Sequence, residues 1–186
     1  MAEHSVLVDM TERLREALAD SAQELIGKSA SIVDLQRLSG GANMETWSFD
    51  LVRADATEPL ILRRLPGAAG LVDDDPHTTE RELSLADEAE LINIAGRHGV
   101  PVPAVRLVLR GDHALGQGYI MSREQGEALP FRLLADERYG GAREKLAFQC
   151  GQTLGRIHQI PLAVLPNGLA DHSGELLFQR AQLFLD

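Results

Sequence analysis

Leu38-Ser39-Gly40-Gly41-Ala42-Asn43-Met44-Glu45-Thr46-Trp47-Ser48-Phe49, followed by Leu60-Ile61-Leu62-Arg63-Arg64, decides how this chain reads. Gly40 and Gly41 carry no Cβ and can take φ > 0, so a turn built on them can bring backbone N–H groups against phosphate oxygens. Trp47, Phe49 and Leu51 alternate with Thr46, Ser48 and Asp50, the period-two pattern of a strand with one buried face. Leu60 to Leu62 reads as a second strand that delivers Arg63, whose planar fork can hold phosphate oxygens at two points. A glycine pair alone most often marks an ordinary hairpin. The lid reading therefore depends on the rest of the chain agreeing with it.

Composition sets the outer limits. At 186 residues and 44% hydrophobic, the chain can bury one good core, or a small domain with part of a second. A net charge of -10 argues against nucleic acid and anionic membrane as partners, because both need clustered Lys and Arg. Lys28 and Lys145 are the two lysines, so nearly all positive charge is arginine. A single cysteine, Cys150, rules out an internal disulfide and fits a reducing compartment. There is no apolar run of membrane-spanning length and no basic-then-apolar leader, so a cytoplasmic location is expected.

Outside the central stretch, Met10 to Ile26 reads as an amphipathic helix carrying Leu14, Leu18 and Leu25, with Thr11 as N-cap and Gly27 as its stop. Gly27-Lys28-Ser29 imitates the end of a P-loop, but Ala22 stands where that motif needs glycine. Ser31 to Leu38 supplies a strand, which makes a three-stranded meander with the two already described. The Asp73-Asp74-Asp75 run reads as a solvated loop. A helix is expected from Thr79 to about His98, capped by Thr78 or Thr79 and stopped by Gly99. After Gly99-Val100-Pro101-Val102-Pro103, Val105 to Leu109 and Gly118 to Ser122 read as a hairpin, with Arg110-Gly111-Asp112 in its bend. Leu129 to Asp136 reads as a short helix. Ala142 to Gln159 reads as a long one, with Leu146, Cys150, Leu154 and Ile157 on one face and Cys150 packed in the core. A last helix is expected over Gly174 to Leu185.

In this order, the elements resemble the N-terminal half of the aminoglycoside phosphotransferase or choline-kinase-like family, which shares the protein-kinase-like fold. The wording "LSGGANMETWSF", "LILRRLPG" and "GVPVP" is most similar to the kinase-like domains associated with acyl-CoA dehydrogenases. The resemblance implies an α+β fold: a protein-kinase-like N-lobe of about five antiparallel strands with one helix packed on it, then the first helices of a C-lobe. The units expected are an N-terminal helix over 1–29, a nucleotide-binding lobe over 30–124, and a hinge with helices over 125–186.

The same resemblance assigns roles. Ser39, Gly40, Gly41, Ala42, Asn43 and Met44 would cover the phosphates of ATP. Arg63 stands where most of the family carries a phosphate-binding lysine, and Glu88 has the spacing of the helix glutamate that pairs with that cation. Tyr119 to Gly126 resembles the hinge. There the backbone of Ser122 and Glu124 would bind adenine and Met121 would pack on the ring. His158 matches a helix histidine with a packing role. The family's His-Gly-Asp catalytic loop with its asparagine, and the later magnesium-binding aspartate, have no match in this sequence. The resemblance therefore implies an ATP-binding fragment of a kinase, with no catalytic or metal-binding residue of its own here. Mg2+ would be held only with the missing C-lobe, and the acceptor in the full-length parent would be a small-molecule hydroxyl. The alternative is a non-catalytic kinase-like binding module. Leu146, Leu154 and Ile157 are expected to stay partly exposed and to drive self-association.

Overall fold

A computed structural model describes residues 11–22, 30–38, 44–54, 56–65, 83–110, 113–167 and 169. Residues 11–22 are helical (α1), and Thr11 is already inside the helix, so it is not the N-cap expected of it. Five strands follow: β1 (Ser31–Leu38), β2 (Glu45–Val52), β3 (Thr57–Arg64), β4 (Val105–Leu109) and β5 (Gly118–Ser122). They form one antiparallel sheet in the order β1-β2-β3-β5-β4. The helices are α2 (Leu85–Arg97), between β3 and β4, then α3 (Pro130–Ala135) and α4 (Gly140–His158) after β5. Among the described residues no helix is long and apolar enough to cross a membrane.

Alternation along the strands sorts side chains onto two faces. Trp47, Phe49, Leu51, Leu60, Leu62 and Ile120 share one face and pack with Leu14, Leu18 and Ala22 of α1. Full burial of each large apolar side chain there contributes about 1.5–3 kcal/mol. The i, i+4, i+8 spacing of Leu14, Leu18 and Ala22 gives α1 its buried stripe, and Arg15 ties the helix to β1 by donating to the Ile32 carbonyl at 2.8 Å. In β1 a strict period of two would send Ile32 and Leu35 to opposite faces. A bulge between Val33 and Gln36, with Asp34 at φ 51, resets the phase so that both reach this core.

α2 covers the other face. Leu85 and Ala89 bury against Tyr119, with Met44, Leu65, Ile92, Val105 and Met121 around them. This helix begins at Leu85, not Thr79. Ser84 takes an extended conformation and its hydroxyl accepts the Asp87 N–H at 3.1 Å, capping the first turn. Its end is as the sequence suggested: Gly99 adopts φ 77, with Val100 N–H donating to the Ala95 carbonyl and Gly99 N–H to that of Gly96, both at 3.0 Å.

α4 starts two residues earlier than expected, at Gly140, and Leu146, Leu154 and Ile157 are exposed, as anticipated. Cys150 and His158 are exposed too, which overturns a packing role for either. The stripe reads as a core face, but the α4 residues that bear it carry no buried side chain. Gly27 to Ser29, the Asp73 run, the bend at Gly111 and Asp112, and the Gly174 to Leu185 helix lie outside the described residues.

Candidate nucleotide-binding face

Two adjacent arginines end β3, and the pleat sends them to opposite faces. Arg64 lies opposite Glu45 and Gly118 on the α1 side. There its Nε and Nη2 each lie 2.9 Å from Glu45 Oε2, while Nη1 donates to the Leu115 carbonyl at 3.3 Å. Trp47 Nε1 donates to the same Glu45 oxygen at 3.3 Å. Arg64 and Glu45 are both buried, so this cation is committed to the core.

Arg63 lies opposite Thr46 and Tyr119 on the α2 side. Its Nη2 is 3.2 Å from Glu88 Oε1, so the pairing that the resemblance implies is present in the fold. The pair is roughly a third exposed, a setting in which an isolated ion pair contributes about 0–1 kcal/mol. Arg63 Nε is buried and has no hydrogen-bond partner among the described residues. A buried donor without an acceptor is costly, and an anionic ligand oxygen would satisfy it.

Glu88 reaches Arg63 because the Ser84 cap fixes where α2 starts, and Ala89 and Leu85 seat the helix on the sheet. The Tyr119 hydroxyl donates to the same Glu88 oxygen at 3.0 Å, from a ring that is 1% exposed. Met121, one more step along this face, sits between Ile61 and Val105. At the strand end, the Ser122 N–H donates to the Ala104 carbonyl at 2.9 Å, and the Ser122 hydroxyl accepts the Ala104 N–H while donating to Glu124. The Ser122 N–H is thus already spent. Arg123 donates from its backbone to the Pro59 carbonyl at 3.0 Å and from its guanidinium to Ser48 Oγ and Asp50 Oδ1, each at 2.7 Å.

One face of the sheet therefore collects Met44, Arg63, Glu88 and Met121, with Ser122 and Glu124 at its edge. Ser39, Gly40, Gly41, Ala42 and Asn43 lie outside the described residues. Sequence reasoning missed Tyr119 and the Arg123 contacts to Ser48 and Asp50. The parity of Tyr119 with Met121 put it on this face, but no local signal tells which helix residue its hydroxyl meets. Among the described residues, no three His, Cys, Asp or Glu side chains gather into a metal-binding group.

The comparison with curated proteins gives no match. The model of the phosphotransferase enzyme family matches residues 34–184, from within β1 through the other four strands, α2, α3 and α4. With that span matched, and a five-stranded sheet carrying a cation–glutamate pair under its helix, the chain belongs to the phosphotransferase enzyme family.

Proposed function

We propose that residues 30–124 are the ATP-binding portion of a small-molecule phosphotransferase, which in its full-length form passes the ATP γ-phosphate to a substrate hydroxyl. The observation that carries this is Arg63: one nitrogen is held by Glu88 and the buried Nε has no partner among the described residues. Its fork would take oxygens of the α and β phosphates, under a lid formed by Ser39 to Met44. Met121 would pack on the adenine. Of the backbone groups proposed for the base, the Ser122 N–H is engaged, so its carbonyl and the Glu124 N–H carry that role.

ATP supplies the transferable phosphoryl group, and Mg2+ would neutralise its charge. The metal ligands and the acceptor site belong, in this proposal, to the C-lobe whose first helices lie over 125–186. The wording of the glycine turn and β3 supports a place near the acyl-CoA-dehydrogenase-associated kinases, working in the cytoplasm. Self-association through exposed Leu146, Leu154 and Ile157 belongs to the same proposal, and a monodisperse monomer in light scattering would remove it.

Calorimetric titration of Mg-ATP into the chain and into Arg63→Ala tests the central claim. Saturable binding, weakened about tenfold or more by the substitution, is the expected result. Equal binding by both proteins, or none by either, would overturn it. The second reading, a non-catalytic binding module, is favoured by one observation: the sequence has no His-Gly-Asp loop with its asparagine. It predicts nucleotide binding without turnover against any hydroxyl acceptor.

A further inference from the structure

The Arg63–Glu88 pair has a third member. Both side chains are long and partly exposed, and such a pair holds its geometry poorly against solvent and its own rotamer freedom. Tyr119 has neither weakness. Its ring is fixed between Leu85 and Ala89 of α2 and the strand beneath, and it has few rotatable bonds to order. From there its hydroxyl reaches Glu88 Oε1 at 3.0 Å, the oxygen that also faces Arg63 Nη2 at 3.2 Å.

We propose that Tyr119 is a positioning residue, which pins the Glu88 carboxylate at Arg63 so that the cation is aimed before any nucleotide arrives. This rests on the nucleotide reading above and names how that site is held ready. A hydrogen bond to a charged acceptor is among the stronger ones. An acceptor fixed on one side restricts the guanidinium on the other, with Nη2 on Glu88 and the buried Nε without a partner among the described residues. Preset geometry lowers the ordering cost of binding.

The test compares ATP and adenosine as titrants of the full chain, Tyr119→Phe, Glu88→Ala, the double variant and Arg63→Ala. Phenylalanine keeps the buried ring and removes only the hydroxyl. Tyr119→Phe is expected to weaken ATP binding about tenfold and leave adenosine binding unchanged, because adenosine has no phosphate for Arg63. In the Glu88→Ala background the same change should cost nothing further. Equal losses for ATP and adenosine, or full additivity with Glu88→Ala, would mean a merely structural hydroxyl and overturn the proposal. If Arg63→Ala weakens ATP binding and Tyr119→Phe does not, the positioning role fails while the nucleotide site stands. If Arg63→Ala has no effect, both fail together.

Discussion

Replacing Glu45 by alanine should damage the core far more than replacing Arg63 on the nucleotide face. Glu45 Oε2 accepts from Arg64 Nε and lies 2.9 Å from both Arg64 Nε and Nη2, and it also accepts from Trp47 Nε1 at 3.3 Å. Without it, the Leu115 carbonyl at 3.3 Å is the one partner left among the described residues to an arginine that is 7% exposed in the parent. Arg37, 3.7 Å from Glu45 Oε1 and half exposed, is a cation and offers no relief. Breaking a buried pair by removing one partner costs about 3–5 kcal/mol, against a total domain stability of about 5–15 kcal/mol. With a urea dependence of about 2 kcal/mol per molar, the unfolding midpoint should fall by about 1.5–2.5 M. Replacing both residues, Glu45→Met with Arg64→Met, should recover most of that loss, because no charge is stranded. Arg63→Ala is the control from the opposite face, with a cost of under about 1 kcal/mol. Urea unfolding followed by Trp47 fluorescence reads all four proteins. A midpoint for Glu45→Ala within about 0.3 M of the parent would refute the view that this pair holds the core.

Gly118→Ala should lower the melting temperature sharply, at a cost of about 1–3 kcal/mol or more, because its Cβ would lie 2.3 Å from the Arg63 carbonyl oxygen and 2.9 Å from Arg64 Cα. Gly126→Ala, which meets nothing within 4 Å, should leave the melt unchanged. Asp136 accepts from the Arg138 side chain at 2.6–3.1 Å and from its backbone N–H at 2.9 Å, and these bonds lower its pKa from 3.8 to about 2. Because the folded value is depressed, its support of the turn before α4 is present above pH 3.8 and is lost as pH falls through about 2. An NMR titration should place its midpoint there, and Arg138→Ala should return it toward 3.8.

The sheet was legible because β2 alternates along its central residues: Trp47, Phe49 and Leu51 state the buried face, and the glycine turn marks where β1 ends, whereas the bulge in β1 leaves no such pattern. Leu60, Leu62 and Arg64 share one parity and Arg63 has the other, so the sequence already separated the two arginines. What it hid was Glu45 as the partner of Arg64, since pairing across β2 and β3 depends on register rather than on local pattern. The start of α2 was misplaced because Thr79 with Glu82 imitates a capping pair five residues before the real one, Ser84 with Asp87. Glu88 came from the family resemblance, but Tyr119 comes under α2 only through the strand order β3-β5-β4, which no window of sequence displays. Cys150 is exposed where core packing was expected because an apolar stripe reports that a face wants cover, not that it has it, and the packing role of His158 rested on the resemblance alone.

The Arg123 clasp turns the end of β5 into a stiff joint. Its backbone is fastened to β3 and its side chain to β2, so the chain cannot begin to bend before Glu124, and Glu124 is itself held by Ser122. On the far side, Glu127 is anchored to the Leu129 N–H and to Arg132. Between these two fixed points only Gln125 and Gly126 remain. A swing of α3 and α4 against the sheet would have to be taken up in those two residues, stretching the exposed hydrogen bond from Arg156 to the Gly99 carbonyl, a tether of about 1 kcal/mol. The sheet and its arginine clasp would then move as one rigid plate, with the pivot confined to a single short link.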